Sequence, residues 1–396
     1  MFNQTHKNKR NHSGAPAVIA GKDFKRSRRL GTAFATILMA VLPLTAFGEA
    51  SSEAIGTNAA RFVNVVDNTQ GFSSFGSAPA INNALAVAFE SAGTGFESGS
   101  VWKWNNGRLT RIATSADGSL RRFGDVVVIN SAGRVGFSAG VVNGNDSIIA
   151  TGDGGALNVI ASANATGLVG GQFLGISAIN ERGDVVFLGV RKGFGSQAIF
   201  AGKGGPLTPV VDTATDANFA ALGNADIDAS GKVAFRGFLA DGTEGIFLRD
   251  NALHDVVDTN NPSLADFLDP VINNKGTVGS AAFLQAGGLA VFTANARGIT
   301  PRTNSSSFSL VDNVSINNLD DVAFFATETV GRDGIFVEPT GSSNPVPVIE
   351  TGDPLFGSTV VALSIGRFSL NDGGWITFRY ELADGRTGIA VASPQN

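Results

Sequence analysis

The sequence predicts an all-β fold: a seven-bladed β-propeller of four-stranded antiparallel blades, closed by an N-terminal strand that completes the last blade. Three observations predict it. A turn-and-strand motif recurs seven times, each copy is followed by further short strands, and the last copy lacks a strand that the start of the chain can supply.

The motif is apolar-Asn-x-x-Gly-x-Val-x-Phe. It begins at Ile81, Ile129, Ile179, Ile227, Ile272, Ile316 and Leu370, with Asn or Asp at 82, 130, 180, 228, 273, 317 and 371. Successive spacings are 48, 50, 48, 45, 44 and 54 residues. Asn at the head of a turn bonds back to its own backbone, and Gly takes the left-handed final position. Gly holds that position in five copies; Asp320 tolerates it, whereas Leu85 does not easily, which predicts a distorted or longer first turn. The position five after the Asn is Val or Ile in every copy, and the position seven after it is Phe in six, with Ser280 the exception. Two residues apart on a strand, these side chains share one face, which is the buried one.

The third strand is short and ends apolar, as in Ser196–Phe200, Gly245–Phe247 and Gly334–Phe336. The fourth reads Leu-x-x-Val-Val-Asp-Thr, as in Leu207–Thr213 and Leu253–Thr259. The seventh copy stops after its third strand, Thr387–Val391. Arg61–Asn68 reads as an orphan fourth strand, so the N-terminal strand is expected to close the ring rather than leave an open array needing caps.

The Asn-x-x-Gly-x-x-x-Ala-Phe core resembles the tandem NxxGxxxAF repeat of exported bacterial proteins of unassigned function. The resemblance covers nearly all of residues 61–396 and implies architecture, not chemistry. Members often carry a C-terminal surface-sorting tail; this chain ends VASPQN without an apolar tail, so no C-terminal anchor is expected.

Composition agrees with a turn-rich all-β protein: 51 Gly, 29 Phe, one Tyr and 16% charged residues. The absence of cysteine excludes disulfides, thiolate metal sites and a Cys nucleophile. Residues 1–48 hold eight Lys/Arg and one acid; the rest hold 21 Lys/Arg against 33 Asp/Glu, a net of −12. That acidic body argues against nucleic acid and anionic membrane as partners, and disfavours polyanionic glycans. Basic Lys22–Arg29, apolar Leu30–Phe47 and small residues near Gly48 and Ala50 read as a secretory signal peptide with a long basic region. Residues 1–48 are thus expected to be cleaved near Gly48 or Ala50, 49–60 to form a short linker and 61–396 a single propeller. The apolar run is too short and interrupted for a membrane span, and none is expected in the mature chain. The protein is expected to be secreted or periplasmic.

No catalytic constellation emerges. Gly136–Gly140 matches G-x-S-x-G but lies within a strand, where a nucleophile elbow requires a strand-to-helix turn. His254 and Tyr380 are the remaining candidates for proton transfer, and His254 reads as a surface residue. Asp67, Asp212, Asp258 and Glu350 occupy one equivalent position in different blades; they suit turn capping rather than a catalytic pair, which needs about 5–10 Å. Asn143–Asp146 and Thr151–Gly155 could offer oxygens to Ca²⁺ but read as polar hairpin tips, so no cofactor or metal is expected. Alternation places Trp102 and Trp104 on one face of a third strand, a candidate glycan or protein contact, although tryptophans filling the space between blades fit the same pattern. The expected function is an exported, non-catalytic binding or scaffold module for glycan or protein ligands. The alternatives are a carbohydrate-active lyase or hydrolase with two acids from different blades converging at one mouth of the channel, and a structural surface or matrix protein that self-associates. Leu85 and Ser280, where regularity fails, are the first places to look for a site.

Overall fold

Among the described residues, β-branched residues and Phe recur between tight turns, and these runs form the strands. The computed structural model describes residues 60–92, 98–142, 144, 146–169, 174–193, 195–303, 306–342 and 344–394. The chain divides into Met1–Thr45 and Ala46–Asn396. The predicted signal peptide and linker, up to residue 59, lie outside the described residues; Ala60 begins the description.

Seven antiparallel sheets of four or five strands make a seven-bladed propeller. Blade four shows the plan: Phe219–Ile227 is innermost, followed outward by Val233–Leu239, Glu244–Arg249 and Leu253–Asp258. Each neighbouring pair is antiparallel. In blades one, two and five the inner strand is split, as in Ala80–Ile81 after Ser74–Phe75 and Val271–Ile272 after Leu264–Phe267. Pro79 and Pro270 fall in two of these breaks, where a residue without an N–H cannot continue the ladder.

Blade seven is built from both ends of the fold. Ser358–Ser364, Ile376–Leu382 and Thr387–Ala392 come from the C-terminal part, and Phe62–Asp67 completes the sheet as its outermost strand. Phe62 lies opposite Ala392 and Asp67 opposite Gly388. The expected closure is therefore present.

The buried face is the expected one. The Val/Ile and Phe of the motif are at most 2% exposed in all seven blades, as is Ser280. The motif Phe also pairs across the ladder with the aromatic of the third strand: Phe187 with Phe200, Phe235 with Phe247, Phe324 with Phe336. These ring pairs are stacked at 5.5, 5.7 and 5.9 Å between centroids. In blade five Ser280 faces Phe292, and Phe267 of the inner strand fills the space instead, 6.2 Å from Phe292. The Ser280 hydroxyl donates to the Leu268 carbonyl at 2.7 Å, so the irregularity is a repacked core with a satisfied polar group rather than an opening.

The first turn is neither longer nor open. Leu85 adopts φ 60° and its N–H donates to the Asn82 carbonyl at 3.0 Å, the bond made by Gly133, Gly183, Gly231, Gly276, Asp320 and Gly374 in the other copies. The apolar side chain of Leu85 packs against the core where blades seven and one meet, offsetting a left-handed conformation that costs roughly 1–2 kcal/mol.

Closure by Phe62–Asp67 yields a stability prediction. Val66 is fully buried, so Val66→Ala should lower unfolding free energy by about 2–3 kcal/mol. Half-buried Val63→Ala should cost less than about 1 kcal/mol. Urea denaturation of the two variants measures this; equal, small shifts in midpoint would argue that the closing strand contributes nothing.

Candidate functional site

The seven motif turns lie at one mouth of the channel, and their asparagines do more than cap their own turns. Each Oδ1 accepts backbone N–H groups from its own turn: Asn82 from Ala84 and Ala86, Asn180 from Arg182 and Asp184, Asn317 from Leu319 and Asp321. That fixes the amide plane and turns Nδ2 toward the next blade. Nδ2 of Asn82 donates to the main-chain carbonyl of Asn130 at 2.9 Å, Asn130 to Asn180 at 3.2 Å and Asn180 to Asp228 at 3.2 Å. Beyond Asp228 the series resumes: Asn273 to Asn317 at 2.9 Å, Asn317 to Asn371 at 3.2 Å and Asn371 back to Asn82 at 3.0 Å. All seven residues are at most 5% exposed.

The residue after each asparagine forms a second circle. The Ser131 N–H and hydroxyl donate to the Glu181 carboxylate, the Ala229 N–H to Asn274 Oδ1, the Asn274 N–H to Asn318 Oδ1, the Asn318 N–H to Asp372 Oδ1 and the Asp372 N–H to Asn83 Oδ1. Parts of both circles line a polar cup of about 130 Å³: Asn82, Asn273, Asn317 and Asn371 from the first, with Asn83, Ser131, Glu181, Asn274, Asn318 and Asp372 at its rim.

Below the cup the channel is filled. The long seventh spacer carries Ile365–Ser369 across the axis. Phe368 packs against the cores of blades two, three and four. Its carbonyl accepts from the Ile81 N–H, and the Arg367 guanidinium donates to the carbonyls of Pro270 and Ser177 at 3.0 and 3.1 Å. The Ser369 hydroxyl donates to the Pro79 carbonyl. Both inner-strand prolines thus direct a carbonyl to the plug. Gly366 permits the crossing: a Cβ there would lie 3.0 Å from the Cβ of Ala78. Buried Asp226 accepts from the N–H groups of Ile272 and Ile227 at 2.7 Å each. Burial pushes its carboxyl up to about 6, against the stabilising pull of these bonds and of Arg367.

One acid outside the cup feels the charge of an acid on the next blade. Glu90 of blade one is 6% exposed, and burial, with the charge of Asp125 on blade two adding to it, pushes its carboxyl up to about 8.

The residues singled out in the sequence are distributed as follows. Trp102 and Trp104 share a face and pack at the seam of blades seven and one. Trp104 is 7% exposed. Trp102 lies opposite Phe89, the place a third-strand Phe takes elsewhere. Half-buried, it meets Phe72 edge-on at 5.6 Å and donates Nε1 to Ser91 Oγ at 3.0 Å. Ser138 of the G-x-S-x-G stretch is an ordinary strand residue opposite Ile149. His254 lies exposed beside Asp250, whereas Tyr380 is fully buried in blade seven and donates to Asn64 Oδ1, so the structure does not bring them together. Asp67, Asp212 and Asp258 each accept the N–H two residues on, which is turn capping; Glu350 is engaged by Arg332. Asn143 and Asn145 lie outside the described residues; Asp146 accepts from the Asn164 N–H and from the hydroxyl of Ser162, the N-cap of Ala163–Thr166, and Asp153 accepts from the Gly155 N–H. Among the described residues no group of three His, Asp or Glu is placed to hold a metal, and no helix is long and apolar enough to cross a membrane.

The inter-blade bonds of the asparagines are not evident from the motif alone. Their signal is the preference for Asn in six copies: a turn cap needs only an acceptor, which Asp or Ser also supplies, whereas an amide adds a donor. The plug has a signal too, in the 54-residue spacing before the seventh motif.

These features define the class of the protein: a closed seven-bladed propeller with a plugged channel and a hydrogen-bonding cup over the plug. The sequence of a family of unknown function, DUF7453, matches over residues 11–340, and the chain belongs to that family. No curated protein matches by sequence. Among solved structures the fold is similar to the β-propeller domain of the Trilobed protease from Pyrococcus furiosus, described as an open velcro topology, at 11% identity and TM-score 0.54 over 81% of this chain and 93% of that one. An oligogalacturonate lyase in complex with manganese is similar at 10% identity and TM-score 0.54, over 87% and 96% of the two chains. A prolyl endopeptidase is similar at 12% identity and TM-score 0.54, over 82% of this chain; the match spans 51% of that protein. At these identities the likeness is one of fold.

Glu90 supplies a pH prediction. Its folded-state pKa lies above the unfolded value of about 4.5, so the folded state holds the proton more tightly. Stability is fully present below about 4.5 and falls as pH rises toward about 8, by up to roughly 1.4 kcal/mol for each pH unit crossed between those two values. Glu90→Gln should flatten that part of the profile, most visibly as greater stability than wild type at pH 8–9. Parallel wild-type and variant profiles in urea between pH 4 and 9 would show that Glu90 titrates normally.

Proposed function

We propose that the chain acts outside the cytoplasm, after removal of residues up to about Gly48 or Ala50, as a non-catalytic propeller that binds a neutral, hydroxyl-rich glycan at the asparagine mouth. The observation that carries this reading is the cup itself. Its rim is a set of carboxamide, hydroxyl and carboxylate groups held by the neighbouring blades' N–H groups, and the apolar motif residues Ile81, Ile129, Ile272, Ile316 and Leu370 line it beside the amides. Preorganised polar groups lose little entropy when they engage a ligand. Asn274 Nδ2 has no hydrogen-bond partner among the described residues and is a ready donor to a sugar hydroxyl. The acidic body and the carboxylates of Glu181 and Asp372 disfavour polyanionic ligands.

A glycan panel and calorimetry with the mature protein test this. Asn274→Ala should weaken binding about tenfold, the loss of one well-placed hydrogen bond, with little change in fold. Trp102→Ala should leave binding unchanged and lower stability. Capture of a protein instead of a glycan, or a loss of binding only in the Trp102 variant, would move the site elsewhere.

A second reading, a carbohydrate-active enzyme, draws on Glu90 and Asp125, two carboxyls from different blades with one held protonated near neutral pH. It expects turnover of a polysaccharide that Glu90→Gln abolishes; no turnover across a broad panel removes it.

A further inference from the structure

The outermost strand of a blade presents a row of unpaired N–H and C=O groups, and charge or proline on it discourages pairing with another chain. Six of the described outermost strands carry one or the other. Arg108–Thr114 has two arginines, and Leu253–Asp258 and Phe62–Asp67 have aspartate. Thr208–Asp212, Gly298–Pro301 and Val346–Glu350 each have a proline. Asn158–Ser162, the outermost strand of blade two, has neither charge nor proline. It pairs on one side with Ser147–Gly152, and on its other side it has no strand partner among the described residues. Its bulge at Ile160 is shared by the outer strands of most blades and does not set it apart. Val159 on this edge is 48% exposed.

A groove of about 520 Å³ runs beside this edge. One wall is the strand itself, with Val159 and Ala161, and the short helix after it, with Thr166; the other is blade three, with Arg191, Phe200 and Leu207. Arg191 is the one charged residue lining the groove. Its guanidinium lies over the Phe200 ring, 5.4 Å from the centroid, and Nη2 pairs with Asp212. Nε and Nη1 meet no acceptor among the described residues. The Arg191 side chain is 35% exposed and that of Asp212 only 9%, so the groove presents guanidinium donors and not the carboxylate. An added strand gains affinity from main-chain bonds and specificity from alternate side chains. Here those side chains would meet an apolar wall and one cation. The acidic body opposes close approach of a second copy. We propose that this edge and groove dock an extended segment of a partner protein, which pairs with Asn158–Ser162, lays apolar side chains against Leu207 and Phe200 and directs one carboxylate to Arg191. The proposal is independent of any glycan bound in the cup.

The experiment selects a phage-displayed library of random linear peptides on the full chain and resynthesises the winners. They should alternate apolar residues, carry an Asp or Glu, and slow amide hydrogen exchange in Asn158–Ser162. Val159→Lys places a charge on the exposed edge, as blade one does, and should weaken binding at least about tenfold without moving the thermal midpoint. Val159→Thr keeps a β-branched, uncharged edge and should bind as wild type does. Replacing the peptide's carboxylate by its amide should cost about fivefold or more. No selected peptide, undiminished binding to Val159→Lys, protection at another site, or equal binding of the amide form overturns the proposal. So does protection of Asn158–Ser162 that rises with protein concentration in the absence of peptide, since a second copy would then be the occupant.

Discussion

A carboxamide held between two adjacent turns is the interaction on which the ring depends. Apolar packing between blades is strong but non-directional, and it leaves the angle and height of one blade against the next loosely specified. An asparagine whose Oδ1 is fixed by its own turn and whose Nδ2 reaches the next blade's carbonyl sets both. Repeated around the mouth, it couples local turn geometry to the curvature of the whole molecule. Each such residue serves several backbone groups from a buried position, where an unpaired polar atom costs about 1–3 kcal/mol.

The same residues make the mouth polar and rigid, and the plug makes it a cup. Arg367, Phe368 and Ser369 are drawn from the longest spacer; the Pro270 carbonyl receives Arg367 and the Pro79 carbonyl receives the Ser369 hydroxyl. Closure of the ring at the periphery by Phe62–Asp67 and filling of its axis by Ile365–Ser369 are both properties of blade seven, the blade assembled from the two ends of the fold.

Much of this was legible in the residues. The Val and Phe spacing gave the buried face, the orphan strand at Phe62 gave the closure, and the Val-Val-Asp endings gave the turn caps. Leu85 and Ser280 were legible as exceptions but not as outcomes. A leucine can hold a left-handed turn if its side chain finds a core to enter, and a missing Phe can be replaced by one from another strand. Trp102 was legible only by register: it takes the place of Phe200, Phe247 and Phe336 opposite the motif Phe, which alternation within one strand cannot reveal.

What the sequence determined by itself is the unit: its length, its turn, its buried face and the number of copies. These are local, set by backbone conformation and by side-chain period within some ten residues. What only the tertiary structure decided is the chemistry at the axis. The asparagine amides and the plug join residues 44 or more positions apart, and such neighbours exist only once seven units are bent into one ring.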